Sequence, residues 1–282
     1  MDIINNKKYT EERSLYNIKD ATIINSTFVS AIGESPLKES KNVIVKECDF
    51  SIRYPLWHVS SFTLDNITMD ELTRASLWYC DNGNIINSKL HGTKAIRECN
   101  NIKIDNCDII SDEFGWKSNN LTITNSSLKS VYPFLMSNNL SIESLNMDSK
   151  YSFQYASDFE VKKSNLNTKD AFWHATNGII EDSYIKSEYI GWYSKDLTFK
   201  NCIIEGIQPF CYCENLKLID CKMVGCDLAF EYSTVDASII GDVISIKNPL
   251  GGKIICDGVK EIIRGNEARP CSGEIIIRKK GN

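Results

Sequence analysis

No stretch of the chain approaches the ~20 consecutive apolar residues that span a bilayer, and the opening Met1-Asp-Ile-Ile-Asn-Asn-Lys-Lys holds no apolar run of signal-peptide length. The expectation is a cytoplasmic protein without membrane contact. Basic runs are scarce too: the net charge is −5, the pI is near 5.4, and beyond the pairs Lys7-Lys8 and Lys162-Lys163 the longest basic run is the three residues ending in Lys279-Lys280. A nucleic-acid duplex would gain little electrostatically from such a surface, so nucleic acid is not an expected partner. There is no CxxC pair, the histidines His58, His91 and His174 lie far apart, and no tight aspartate cluster stands out. Neither a metal nor another cofactor is expected from these spacings. The 11 cysteines are odd in number, in a chain of 282 residues that is too large to need disulfide staples. They are expected to be reduced and buried. Cys48, Cys107, Cys202 and Cys221 fall in one column of the repeat described next, Cys80, Cys99 and Cys213 in another, and Cys107, Cys202 and Cys221 are expected in one stack.

What the chain does contain is a repeat. Ile102-Lys-Ile-Asp-Asn-Cys-Asp-Ile returns as Leu121-Thr-Ile-Thr-Asn-Ser-Ser-Leu, and further copies begin at the same interval at Leu140, Phe159, Gly178, Leu197 and Leu216. A second half recurs as well, as in Phe114-Gly-Trp-Lys-Ser-Asn-Asn and Ala171-Phe-Trp-His-Ala-Thr-Asn. A period in this range with two short β-rich runs per copy reads as one coil of a parallel β-solenoid. Leu121 and Ile123 alternate with Thr122 and Thr124, the signature of a strand with one buried face. Asn106, Asn125, Asp182, Asn201 and Asp220 form one column and Asn82, Asn101, Asn120, Asn139, Asn177 and Asn215 another. Such residues tolerate left-handed backbone and suit corners, where their amides can ladder from coil to coil. The expectation is an all-β, single-domain parallel β-helix of about 11 coils. Residues 1–20 are read as an N-terminal cap, 21–234 as coils, and 235–282 as a degenerate coil and C-terminal cap.

Several segments also match a family. Glu34-Ser-Pro-Leu-Lys-Glu, Tyr54-Pro-Leu-Trp, Leu77-Trp-Tyr-Cys, Lys169-Asp-Ala-Phe-Trp and Leu228-Ala-Phe-Glu-Tyr-Ser-Thr-Val resemble the microbial family known as domain of unknown function 3737. The resemblance covers nearly the whole chain. It implies a right-handed parallel β-helix of the pectin-lyase-like superfamily and brings no catalytic residues with it.

Two columns in the second half of each coil carry unusual residues. One holds all 5 tryptophans, Trp57, Trp78, Trp116, Trp173 and Trp192, together with Arg97; the next holds His58, Tyr79, Glu98, Lys117, His174 and Tyr193. Charges in both place them outside the core, although strand parity would turn one inward unless a bulge intervenes. The plain reading is that these rings pack on neighbouring rungs and shield the core edge. The functional reading is a stripe that offers ring faces to sugars, making the protein an intracellular carbohydrate-binding or carbohydrate-processing protein. The alternative is a non-catalytic scaffold that self-associates as a homodimer through the same stripe.

Charges concentrate on the early coils. There Arg53 and Arg74 are candidates to bind the anion of an acidic sugar or sugar phosphate, with Trp57, Trp78, Tyr79, Lys94, Arg97 and Trp116 completing the binding surface. Glu98, Glu113 or His58 would be general acid or base. Alternatively, the same charges form a salt-bridge network in which Glu98 meets Lys117 and Asp112 meets Arg74 or Arg97.

Overall fold

In-register stacking of short parallel strands builds the molecule. The computed structural model describes residues 2–266 and 268–279, and among them every regular element is a strand. The coils number about 14 turns rather than the 11 expected. The chain divides into two units, residues 1–146 and 147–282.

In the first unit each coil has three sides. The first is a strand such as Asp81–Ile86, Asn100–Asp105 or Asn119–Thr124, paired in parallel with its neighbours at the interval seen in the sequence. The second is shorter, as in Lys89–His91 and Asp108–Ile110. The third is two residues long, as in Leu56–Trp57, Leu77–Trp78 and Ile96–Arg97. Inward side chains such as Ile102, Ile104, Ile109 and Leu121 are fully buried, and Phe28 stacks on Phe50 at 4.6 Å. The corner columns of asparagine are left-handed: Asn87, Asn106 and Asn125 at one corner and Asn82, Asn101 and Asn120 at another have φ between 48° and 56°. Their amides bond from coil to coil, with Asn106 donating to Asn87 at 2.8 Å and Asn120 to Asn101 at 2.8 Å.

The start of the chain corrects the expected cap. Asp2–Asn5 pairs with Ala21–Ile24 at the interval of the later coils, and Lys8–Tyr9 pairs with Thr27–Phe28. Residues 2–9 therefore form a coil of the repeat. Ile3-Ile-Asn-Asn is the same pattern as Thr22-Ile-Ile-Asn, disguised because polar Asp2 occupies a position that is Ala21 or Val43 later.

In the second unit the first-side strands run Ser157–Lys162, Thr176–Glu181, Lys195–Lys200, Leu216–Val224 and Thr234–Ile239. The expected degenerate C-terminal segment continues this sheet. Val235 pairs with Gly252, a shorter interval, and Lys253 with Glu274, a longer one, so only the loops change length. Phenylalanines fill the interior, among them Phe172, Phe199 and Phe210, each fully buried.

Ten of the cysteines are small buried side chains, distributed over both units, with free thiols. Their column does more than fill space. Where it holds serine or cysteine, the side chain receives a backbone N–H from the preceding coil, as in Ile67 to Ser88 at 3.1 Å and Ser26 to the Cys48 thiol at 3.3 Å. Burial pushes the Cys48 and Cys107 thiols up to about 11. The expected stack holds in part only: Cys107 sits between serines, Ser126 receiving its N–H at 3.0 Å, whereas Cys202 and Cys221 are neighbours. In native protein these ten thiols should resist a thiol reagent and react only after unfolding.

Gly178 shows how tightly adjacent coils fit. It faces Phe159 in register, and a Cβ there would lie 2.2 Å from the Phe159 ring. Replacing Gly178 with the leucine common in this column should cost about 1–3 kcal/mol, the usual penalty of overpacking. Phe159→Leu in the same chain should recover most of that loss in denaturant unfolding, because the column then matches its Leu–Leu neighbours.

Candidate functional site

The charged cluster singled out from the sequence, with Trp57, Trp78, Tyr79 and Trp116, lies in the first unit, whereas Trp173, His174, Trp192 and Tyr193 of the same columns lie in the second. The two-residue strands at Leu56, Leu77 and Ile96 point those side chains into the core, so Trp57, Trp78 and Arg97 point out. The next residues, His58, Tyr79 and Glu98, are left-handed, with φ between 51° and 54°. That turn breaks strand alternation and keeps both columns outside the core, in the place where a bulge was anticipated. The tryptophans end half-buried and the following column more exposed, Tyr79 reaching 40%.

A continuous ladder results. Lys38 lies 4.0 Å over Trp57, Trp57 stacks on Trp78 at 5.7 Å, and Arg97 inserts between Trp78 and Trp116 at 5.6 and 5.5 Å. Held there, Arg97 reaches Glu98 at 3.3 Å and Glu113 at 3.6 Å, and Lys94 reaches Glu113 at 3.5 Å. These contacts replace the expected Glu98–Lys117 and Asp112–Arg pairs, because the rings fix the guanidinium nearer its chain neighbour and the next coil's Glu113. The buried Oε2 of Glu113 lies beyond hydrogen-bond length from both cations, so charge alone holds it. Arg53 pairs with Glu34 at 3.5 Å, while exposed Arg74 has no ion pair among the described residues. His58 stacks on Tyr79 at 5.0 Å. The structure thus gathers Trp57, Trp78, Lys94, Arg97, Glu98, Glu113 and Trp116, with both carboxylates serving as counterions.

The second unit carries a longer row of rings, exposed at Tyr155, His174 and Tyr193 and half-buried at Tyr212. Tyr155, His174, Tyr193 and Tyr212 follow one another at 4.8, 5.2 and 4.8 Å, within 11° of parallel. Each interior ring face is covered by the next ring, so the row presents edges to solvent: phenolic hydroxyls and imidazole nitrogens, repeating once per coil. This corrects the expectation that ring faces meet a ligand. A little further along each coil lies a groove of about 480 Å³, lined by Asn177, Asp196, Thr198, Asn215, Lys217, Thr234, Asp236 and Gly252 among others. It coincides with the shortened coil in which Val235 pairs with Gly252; there Gly252 is left-handed and packs so close that a Cβ would meet the Val235 carbonyl at 2.1 Å. The signal in the sequence was Gly251-Gly252, legible only as a break in the pattern.

Asp170, absent from the sequence-based candidates, is the most unusual carboxylate here. It is 8% exposed, its Oδ1 has no hydrogen-bond partner, and burial raises its pKa; Lys169 opposes the rise and Glu188 adds to it. Lys169 and Glu188 pair with each other at 3.6 Å.

Fold and surface define a parallel β-solenoid with rows of rings and amides repeating along its coils. The chain belongs to the family described as "Protein of unknown function (DUF3737)", which matches residues 2–277. No curated protein matches it. Among solved structures it is similar to the surface adhesin PfbA of Streptococcus pneumoniae, at 9% identity over 88% of this chain and 71% of that one, with a TM-score of 0.36. It is also similar to a tailspike protein of an E. coli bacteriophage in complex with a pentasaccharide, at 9% identity over 93% and 60%, TM-score 0.43. A third is a mannuronan C-5 epimerase A-module of Azotobacter vinelandii, at 9% identity over 98% and 89%, TM-score 0.33.

The Asp170 environment makes a stability prediction with a definite sign. The native state keeps this proton to higher pH than the unfolded chain, whose carboxyl titrates near 3.8. Its contribution is therefore most favourable below that pH and is lost as pH rises through the native value. Asp170→Asn should raise the thermal midpoint at pH 7, and the gain should vanish below about pH 3.8 in a pH series of melts.

Proposed function

We propose that this protein binds an extended, polyhydroxylated carbohydrate chain along the second unit, across the Tyr155–His174–Tyr193–Tyr212 row and the adjoining groove. The observation that carries the reading is the repetition of hydrogen-bonding edges once per coil, 4.8 to 5.2 Å apart, beside a groove of amides, hydroxyls and carboxylates. A neutral polymer with several hydroxyls per unit can use such a row repeatedly, and each added contact costs no further chain ordering in the protein. Asp196 and Asp236 outnumber the single cation of the groove, Lys217, which disfavours a polyanionic ligand there. The ion-paired cluster of the first unit is read as a brace for its aromatic ladder, since Arg97 hydrogen-bonds Glu98 and neutralises the charge of Glu113.

Affinity electrophoresis in soluble laminarin, xylan, dextran and polygalacturonate tests this. Wild type should be retarded by at least one neutral polymer, Tyr193→Ala should weaken that binding about tenfold, equivalent to about 1.4 kcal/mol, and Tyr79→Ala should leave it unchanged. No retardation in any gel overturns the reading. If light scattering instead finds a dimer that Tyr193→Ala dissociates, the row is a self-association surface.

A further inference from the structure

We propose that the first unit binds a phosphate or sulfate ester of a sugar between Lys19 and Lys41, at a site independent of the row in the second unit. The two lysines are in-register partners on adjacent parallel strands, Lys19–Ile24 and Lys41–Lys46, so their backbones lie about 4.8 Å apart. Both are exposed, and neither forms an ion pair among the described residues. They line one hollow of about 490 Å³, together with Asp20, Asn42 and Ser61.

This pairing departs from the pattern elsewhere in the chain. Lys46 faces Asp65, Lys186 faces Glu205 and Lys200 faces Glu181, each on the adjacent coil and each in an ion pair. Lys195 makes the contrast sharper, because like Lys19 and Lys41 it stands immediately before a left-handed corner residue, and it faces Glu214 at 3.6 Å. Lys41 has Lys19 on one side and Ser60 on the other. Asp20 does not supply the missing charge: its Oδ1 accepts from the Asn42 amide at 2.5 Å, and it forms no ion pair with either lysine. Two ammonium groups held face to face repel each other, and an anion between them converts that repulsion into two attractions.

The surroundings select the ligand. A tetrahedral oxyanion has oxygens enough to accept from both ammonium groups and from the Ser61 hydroxyl, which has no other partner among the described residues. A second hollow of about 270 Å³ shares Asn42 and Ser61 with the first and continues past Thr63, Asn82 and Asn84. Its amides and hydroxyls match the hydroxyls of the sugar that carries the ester, while its lining holds no further charge. The cations that the sequence marked for such an anion are engaged otherwise, Arg53 with Glu34 and Arg97 with Glu98 and Glu113. Lys19 and Lys41 are the facing cations left without a carboxylate.

Calorimetric titration with glucose 6-phosphate, glucose 6-sulfate and glucose at matched ionic strength tests the site. At least one ester should bind wild type, with glucose at least about tenfold weaker. A phosphate site should tighten between about pH 5.5 and about pH 7.5, as the ester takes its second charge, whereas a sulfate site should not. Lys19→Gln and Lys41→Gln should each weaken ester binding about tenfold, and Lys129→Gln, the same charge change outside the hollow, should leave it unchanged. Lys41→Glu should lose ester binding yet melt at least as high as wild type, because it restores the pairing seen at Lys195 and Glu214; misfolding does not produce that combination. Esters that bind no better than glucose, or binding that survives both glutamine variants, overturn the site. Neither result bears on the second-unit reading, which Tyr193→Ala tests in the gels.

Discussion

Backbone hydrogen bonding between successive coils is the constraint on which everything else depends. Each coil has to return its chain to the same register after three sides, and a constant interval between paired residues does this only if the corners turn sharply at fixed places. Left-handed residues supply those turns. Asparagine and aspartate carry two of the corner columns, at modest conformational cost, and offset it by bonding to their counterparts one coil away. A serine or cysteine after one corner then takes a backbone N–H that the turn would otherwise leave unbonded inside the protein.

The third corner differs in that His58, Tyr79, His174, Tyr193 and Tyr212 are left-handed there, although aromatic side chains rarely adopt that backbone. Ring stacking from coil to coil offsets the cost, and stacking also decides what the surface can do. Rings that shield one another cannot offer their faces to a ligand, so recognition falls to their edges and to the polar groove beside them. In the first unit the same geometry lets Arg97 take the place of a ring, and its charge then fixes Glu98 and Glu113.

Some coils were hidden from sequence reading for specific reasons. Asp2 sits where later coils place Ala21 and Val43, which masked a first coil whose Asn6 and Tyr9 otherwise match Asn25 and Phe28. After Val235 the interval first shortens, with Val235 beside Gly252, and then lengthens, with Lys253 beside Glu274, so a fixed period fails while the strand pairing persists. Hydrogen-bond register tolerates loops of unequal length; a sequence period does not.

The sequence alone determined the parallel β-solenoid, the corner residues, the buried cysteines and the family, because each depends on a residue type recurring at a fixed interval. It also located the tryptophan and tyrosine columns outside the core, since charges shared those columns. Only the tertiary structure decided that the ring faces are covered, that Arg97 pairs with Glu98 and Glu113 instead of leaving them to Lys117 and other bases, and that Asp170 is buried with an oxygen left open. Those outcomes depend on how side chains from adjacent coils meet in space, and a repeat in one dimension fixes which residues are neighbours without fixing which way their side chains turn.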